Sequence, residues 1–262
     1  RIGMGPDPFI SFGALEFPVG TSLPMNGNQP RLVSAGIKHN GTIDLFENEK
    51  VSEHVTYSWF DEVDGGSHPM DGKTEPYATG YEGHKYSWSK APRYDDKPAE
   101  TGPLAEQIVG NNPLFNDLLE TYGASVFTRQ LARLIRPATL MPSMKLWLTE
   151  IFPDCVFYIP PGEIINGEGF GLTQVARGAL GHWVRIEDSK IAHYQIISPT
   201  TWNLSPRDAN GIRGPAEEAL RGTEIKDIDN PVELGHIIRS FDACLVCTVH
   251  AFSKDRKSRI RI

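Results

Sequence analysis

The amino-acid sequence predicts an α+β fold in which central helices are flanked by strands and hairpins. Three observations predict it: short apolar runs separated by Asn-Gly turns near the start, helical apolar spacing through the middle, and paired apolar runs beyond it. Residues 1–60 form a strand-rich segment, with runs between residues 9 and 55 that read as strands. Asn40-Gly41 is the stronger hairpin signal, because both residues tolerate the positive φ that a two-residue turn requires. Pro24 and Pro30 flank the other such turn, Asn26-Gly27-Asn28, and interrupt strand pairing there. Residues 61–102 are rich in Gly, Pro, Asp and Tyr without a sustained period, so they predict a long irregular loop laid over the surface.

Residues 103–152 carry apolar side chains at helical spacing, from Leu104, Ile108 and Val109 to Leu131, Leu134 and Ile135. Two or three helices ending near Pro137 and Pro142 satisfy the pattern, since proline lacks the N–H that a helix interior uses. After Pro160-Pro161 comes a Gly-rich stretch over 162–171. Two apolar runs, 181–186 and 191–197, are joined by Glu187-Asp188-Ser189-Lys190 and read as a hairpin. Short helices are predicted over 215–221 and 231–240, each with proline in its first turn and acidic residues close behind.

Composition narrows the function classes. A chain of 262 residues with 39% hydrophobic content buries a real core. The net charge of -7, with basic residues scattered until the last dozen positions, argues against nucleic acid or anionic lipid as a partner. Apolar stretches are interrupted well before the roughly 18 residues of a membrane span. The first residue is Arg1, and Pro6, Pro8 and Pro18 break any signal-peptide apolar core, so a processed, split or truncated product is expected. Three cysteines make a poor disulfide framework at this size, which directs attention to metal or redox chemistry.

The most specific feature is Asp242-Ala243-Cys244-Leu245-Val246-Cys247-Thr248-Val249-His250. A three-residue spacing in a helix or turn puts both thiols on one side, within reach of a single metal. By itself the pair has three readings: half of a structural zinc site, a redox dithiol, or half of a larger metal site. Zinc asks for two more Cys or His, and no second pair follows; a redox dithiol asks for a preceding strand in an α/β unit. Cys155 reads as a small buried apolar residue.

Other strings lead further. Arg177-Gly178-Ala179-Leu180-Gly181-His182-Trp183, Pro199-Thr200-Thr201-Trp202-Asn203 with Pro206-Arg207-Asp208, and Lys90-Ala91-Pro92-Arg93-Tyr94 occur in that setting, and Asp242 to His250 closes the series. With Thr56-Tyr57-Ser58-Trp59, Thr74-Glu75-Pro76 and Tyr86-Ser87-Trp88, the chain resembles the C-terminal half of a nickel-iron hydrogenase large subunit of the membrane-associated uptake type.

That resemblance implies heterolytic cleavage or formation of H2 at a thiolate-bound Ni-Fe centre, with carbon monoxide and cyanide on the iron. Thiolates suit such soft, redox-active metals better than carboxylates do. By position Cys244 is the terminal nickel ligand and Cys247 the bridging one, and a terminal thiolate is a natural proton acceptor as hydrogen polarises. Arg177 stands over the open position, where its permanent charge orients hydrogen, with proton abstraction as the bolder role. Ala176, Pro199 and Thr200 surround the diatomic ligands and Leu180 closes the apolar side. His250 and the backbone carbonyl of Ile196 are implied ligands of a nearby Mg2+ or Fe2+. Asp242 either joins a hydrogen-bonding canopy above the metals or caps a helix starting at Ala243.

Two family prolines are Ala here, Ala176 and Ala243, which frees the backbone at the metal and adds an N–H. The family's N-terminal R-x-C-G-x-C pair is absent, so a separate N-terminal half is expected to supply the other two thiols. The resemblance further implies an iron-sulfur small subunit that alone carries the clusters, and membrane association through partner subunits on the periplasmic face. Residues 153–250 form the metal-site region, and the basic stretch 251–262 resembles a tail removed on maturation. The rival readings are a hydrogen-sensing regulatory relative and a metal-free scaffold subunit of a respiratory complex, the latter disfavoured by the two retained thiols.

Overall fold

The computed structural model describes residues 2–17, 31–61, 65–80, 82–154 and 156–243. Three small antiparallel sheets and six helices make up the described part. The first sheet joins β1 (Phe9–Glu16), β2 (Arg31–His39) and β3 (Thr42–Asp44); the second pairs β4 (Val51–His54) with β5 (Ala91–Tyr94). The third is a meander of β6 (Gly167–Val175), β7 (Gly178–Glu187) and β8 (Lys190–Ile197). The helices are α1 (Pro103–Val109), α2 (Pro113–Tyr122), α3 (Val126–Glu150), α4 (Pro199–Asn203), α5 (Pro215–Leu220) and α6 (Val232–Ser240).

Local chemistry explains most of these boundaries. Asn40 and Gly41 take positive φ between paired His39 and Thr42, which is the predicted β2–β3 hairpin. Asp188 and Ser189 do the same between β7 and β8. Asn112 caps α2 by accepting from the Leu114 N–H, and Ser125 with Thr128 forms a capping box at the start of α3. The other Asn-Gly turn, Asn26-Gly27, falls outside the described residues.

Two sequence expectations need correction, and one stretch left without an assignment gains one. α3 does not stop at Pro137 or Pro142 but runs through both to Glu150. Both rings lie on an exposed face, and between them the Thr139 hydroxyl donates to the Arg136 carbonyl at 2.8 Å. Within the expected irregular loop, Ala91–Tyr94 forms β5, and Trp59 stacks edge-on against Trp88 at 5.0 Å while its ring N–H donates to the Lys85 carbonyl. The Gly-rich stretch becomes β6 from Gly167 onward, because β7 supplies a full ladder of partners along it.

Ile10, Phe12, Val51, Trp183, Ile197 and Trp202 form one core that binds the three sheets together. A second core packs Phe9 of β1 against α1, Phe115 of α2 and Ala132 of α3. Truncating a buried Trp such as Trp183 or Trp202 costs about 3–5 kcal/mol.

Two buried ion pairs stitch distant segments. Arg93 of β5 donates from Nε to Asp208 at 2.7 Å, and its other nitrogens reach the Ser205 hydroxyl and the carbonyls of Pro92, Pro206 and Ile212. The Lys90 to Tyr94 and Pro206 to Asp208 strings thus bind each other. Arg129 of α3 forms a two-pronged pair with Glu100 at 2.8 Å on each prong, and its guanidinium lies 3.8 Å from the centre of the Phe241 ring. A side chain at Gly5 would collide with both Glu100 and Arg129. Since Glu100 is 1% exposed, Glu100→Ala leaves a buried guanidinium without its carboxylate and is expected to lower unfolding free energy by about 3–5 kcal/mol in urea titration.

Candidate metal centre

Ala176, Arg177 and Asp242 meet at the turn that joins β6 to β7. Ala176 and Arg177 are its two turn residues, with Val175 and Gly178 paired across it. Gly178 has φ 132, and a Cβ there would strike Thr101, so glycine is required both for the backbone and for the close approach. The Arg177 carbonyl lies against Gly102, where a Cβ would stand 3.4 Å from it. The turn is therefore pressed onto the N-terminus of α1.

Thr101 holds that contact. Its hydroxyl donates to the Ile10 carbonyl at 2.9 Å and accepts from the Ala179 N–H at 2.8 Å. The Thr101 N–H donates to the Asn203 side chain at 3.0 Å, and the Asn203 amide donates back to the Thr101 carbonyl at 2.8 Å. Asn203 ends α4, the short helix that carries Pro199 and Thr200; Ser198 caps it by accepting from the Thr201 N–H. One threonine thus fixes the Arg177 turn and the Pro199-Thr200 helix in the same frame. Leu180, half-buried, follows Ala179 on β7. Ile196 has an exposed side chain on β8 opposite His182, while its neighbour Ile197 enters the core.

Asp242 approaches from the other side. It ends α6 with φ 54, and its N–H donates to the Arg239 carbonyl. Its carboxylate stands 3.7 Å from Arg177 Nε and 3.6 Å from Arg133 Nε. Neither Nε has a hydrogen-bond partner among the described residues, although both are buried atoms. Arg133 also donates to the Ser240 and Arg239 carbonyls, placing a cation at the C-terminus of α6 where the helix dipole favours it. Sequence reasoning missed Arg133, because it lies on α3 more than a hundred positions before its carbonyl partners and has no local signal.

Cys244, Cys247 and His250 lie outside the described residues, as do Cys155 and residues 251–262. Arg177 and Asp242 meet two positions before Cys244 in the sequence, and Thr101 ties the Pro199-Thr200 helix to the same turn. The donor set suits a soft metal, and the paired arginines supply a positive rim with unpartnered N–H groups.

A second polar cluster was not anticipated. Glu53 of β4 is buried, hydrogen-bonds the amide of Gln195 and lies 3.7 Å from Lys90. Burial pushes the Glu53 carboxyl above its ordinary range, outweighing Lys90 and Gln195, and burial likewise lowers Lys90.

These features define a mixed helix-and-sheet scaffold in which Arg177 and Asp242 meet just before the Cys244-Leu245-Val246-Cys247 string in the sequence. A family model described as nickel-dependent hydrogenase matches residues 1–250, and the chain belongs to that family, corresponding to a C-terminal portion of a large subunit. It is 38% identical over 239 residues to the periplasmic NiFeSe hydrogenase large subunit of Desulfomicrobium baculatum, covering 84% of this chain and 46% of that protein. The quinone-reactive Ni/Fe-hydrogenase large chain of Wolinella succinogenes is 34% identical, over 87% of this chain and 46% of its own length. The Ni-Fe-Se hydrogenase structure from D. vulgaris Hildenborough superposes with a TM-score of 0.79 at 35% identity, over 94% of this chain and 53% of that one. The chain spans about half the length of these relatives.

Two outcomes follow. Thr101→Val removes a hydroxyl that both donates and accepts in the core, and is expected to destabilise by about 1–3 kcal/mol in chemical denaturation. Asp242→Asn, at a pair about one-third exposed, should cost less than about 1 kcal/mol. For Glu53, the folded carboxyl holds its proton more tightly than the unfolded one. Its contribution therefore favours folding below the ordinary value of 4.5 and is lost as pH rises through the raised value. Glu53→Gln should flatten that slope in unfolding free energy measured against pH; an unchanged slope refutes the assignment.

Proposed function

We propose that this chain is the part of a nickel-iron hydrogenase catalytic subunit that contributes Cys244 and Cys247 to the metals. The observation that supports it best is the ion pair of Arg177 with Asp242, two positions before Cys244 in the sequence, at a turn that Thr101 ties to the Pro199-Thr200 helix. Cys244 and Cys247 would hold the nickel-iron centre, and His250 with the Ile196 carbonyl would hold a Mg2+ or Fe2+. When bound, the nickel-iron centre, with carbon monoxide and cyanide on its iron, supplies the redox chemistry that converts H2 reversibly into two protons and two electrons.

The protein's own groups do the rest. Arg177 presents a permanent positive charge toward the metals, and Asp242 with Arg133 holds that guanidinium in place from the far side. Cys244, as the terminal thiolate, accepts a proton at sulfur. Ala176, Pro199 and Thr200 line the iron's ligands, and Leu180 keeps water from the apolar side. The other two thiols come from the N-terminal portion of a large subunit, and electrons leave through an iron-sulfur small subunit. The relatives include a periplasmic enzyme and a quinone-reactive one, which supports a periplasmic site reached through partner subunits; no helix among the described residues is long and apolar enough to cross a membrane.

Infrared spectra of the nickel-loaded complex test the reading, because bound carbon monoxide and cyanide absorb where protein does not. Their absence in active complex refutes it. Cys247→Ser should abolish stoichiometric nickel by elemental analysis. Arg177→Lys should retain nickel and the infrared bands while slowing hydrogen oxidation by roughly 100-fold, the scale of losing one preorganised electrostatic group.

A further inference from the structure

β4 has two faces, and the one opposite Glu53 holds a histidine with nothing to bond. Alternate residues of a strand share a face, so Ser52 and His54 stand together, and the register with β5 sets them across from Arg93 and Ala91. His54 is 5% exposed. Gly66 covers its ring: a Cβ there would lie 2.6 Å from Nε2 and 3.0 Å from the Ser52 Cβ. Neither ring nitrogen has a hydrogen-bond partner among the described residues, and neither does the Ser52 hydroxyl.

The surrounding charges leave no acceptor for a proton on this ring. Arg93 from β5, Asp208 from the loop after α4 and Asp96 from the turn after β5 are the charged groups that bear on His54; Ser52 and Gly66 carry none. Both Asp208 oxygens are committed, Oδ2 to Arg93 Nε and Oδ1 to the N–H groups of Asn210 and Ile212. The other Arg93 nitrogens hold carbonyls of Pro92 and Ile212. Asp96 is exposed, so water screens it. A neutral imidazole bears two unbonded nitrogens at modest cost. An imidazolium adds a second buried cation beside Arg93, with both of its N–H groups unmet.

We propose that His54 is an acid-sensitive latch on the Arg93–Asp208 clamp: neutral, it leaves the clamp closed, and protonated, it draws Asp208 from Arg93 and frees the loop over residues 205–212. The effect reaches the Arg177 turn, because Arg93 also holds the Ser205 hydroxyl, two residues after the Asn203 that Thr101 binds. None of these groups is a proposed metal ligand, so the latch operates whichever metals the chain holds. Burial lowers the His54 pKa from its ordinary 6.5 and Arg93 adds to the lowering, against the pull of Asp208 and Asp96. With the folded value depressed, the contribution of His54 to stability is fully present above 6.5 and is lost as pH falls through the folded value.

Hydrogen exchange in the assembled, nickel-loaded complex tests the latch, read by mass spectrometry and corrected for the intrinsic pH dependence of exchange. Between about pH 7.5 and about pH 5.5, peptides covering residues 91–94 and 205–212 should exchange about tenfold faster in the wild type, the response of one coupled proton. In His54→Gln the same peptides should change by less than about twofold. Glu53 titrates in both forms and cancels in the comparison. His54→Leu, which also lacks the ring nitrogens, should behave as His54→Gln, so that a folding defect in one variant leaves the other to decide. An equal acid response in wild type and variants overturns the latch, as does no response in the wild type. Acceleration spread evenly over the whole chain also overturns it.

Discussion

Everything around the Arg177 turn depends on the hydrogen bonds of Thr101. This residue precedes α1 and bonds to β1, to β7 and to the last residue of α4 within one buried cluster. Buried polar groups are costly unless satisfied, so a residue whose hydroxyl and backbone are all paired commits its neighbours to one arrangement. Gly178 is the complement of that cluster, because any side chain there would occupy the space Thr101 fills. The Arg177 turn is held by this close approach and by the two-residue connection that follows from it.

The buried ion pairs add uniqueness more than net stability. Removing Arg93 or Arg129 from water is costly, and the pairs repay it only because the guanidinium nitrogens find carbonyls and hydroxyls as well as a carboxylate. Each pair joins segments about thirty or more than a hundred residues apart, so wrong arrangements leave a buried charge unmet. The Pro206-Arg207-Asp208 string is explained by this role: Asp208 also accepts from the Asn210 and Ile212 N–H groups and turns the chain around Arg93.

At the site itself, charge is arranged around a single carboxylate. Asp242 stands between Arg133 and Arg177, one from α3 and one from the β6–β7 turn, at the end of a helix whose terminal carbonyls Arg133 also satisfies. Two cations for one anion leave net positive charge around Asp242.

Sequence alone determined the features whose causes are local or motif-bound. Asn40-Gly41 made a hairpin because those residues accept positive φ, α5 and α6 began where proline and acidic residues favour a first turn, and the strings around Arg177 and Pro199 pointed to nickel-dependent hydrogenases. Tertiary structure decided the rest. β5 and β6 formed in stretches rich in Gly and Pro because a neighbouring strand offered partners, and α3 passed two prolines whose rings lie on its exposed side. Arg133, Thr101 and Asn203 could not be chosen from the sequence, since each acts through partners distant along the chain. Pairing, burial and long-range charge are properties of the folded molecule, and no local pattern encodes which distant group will satisfy which.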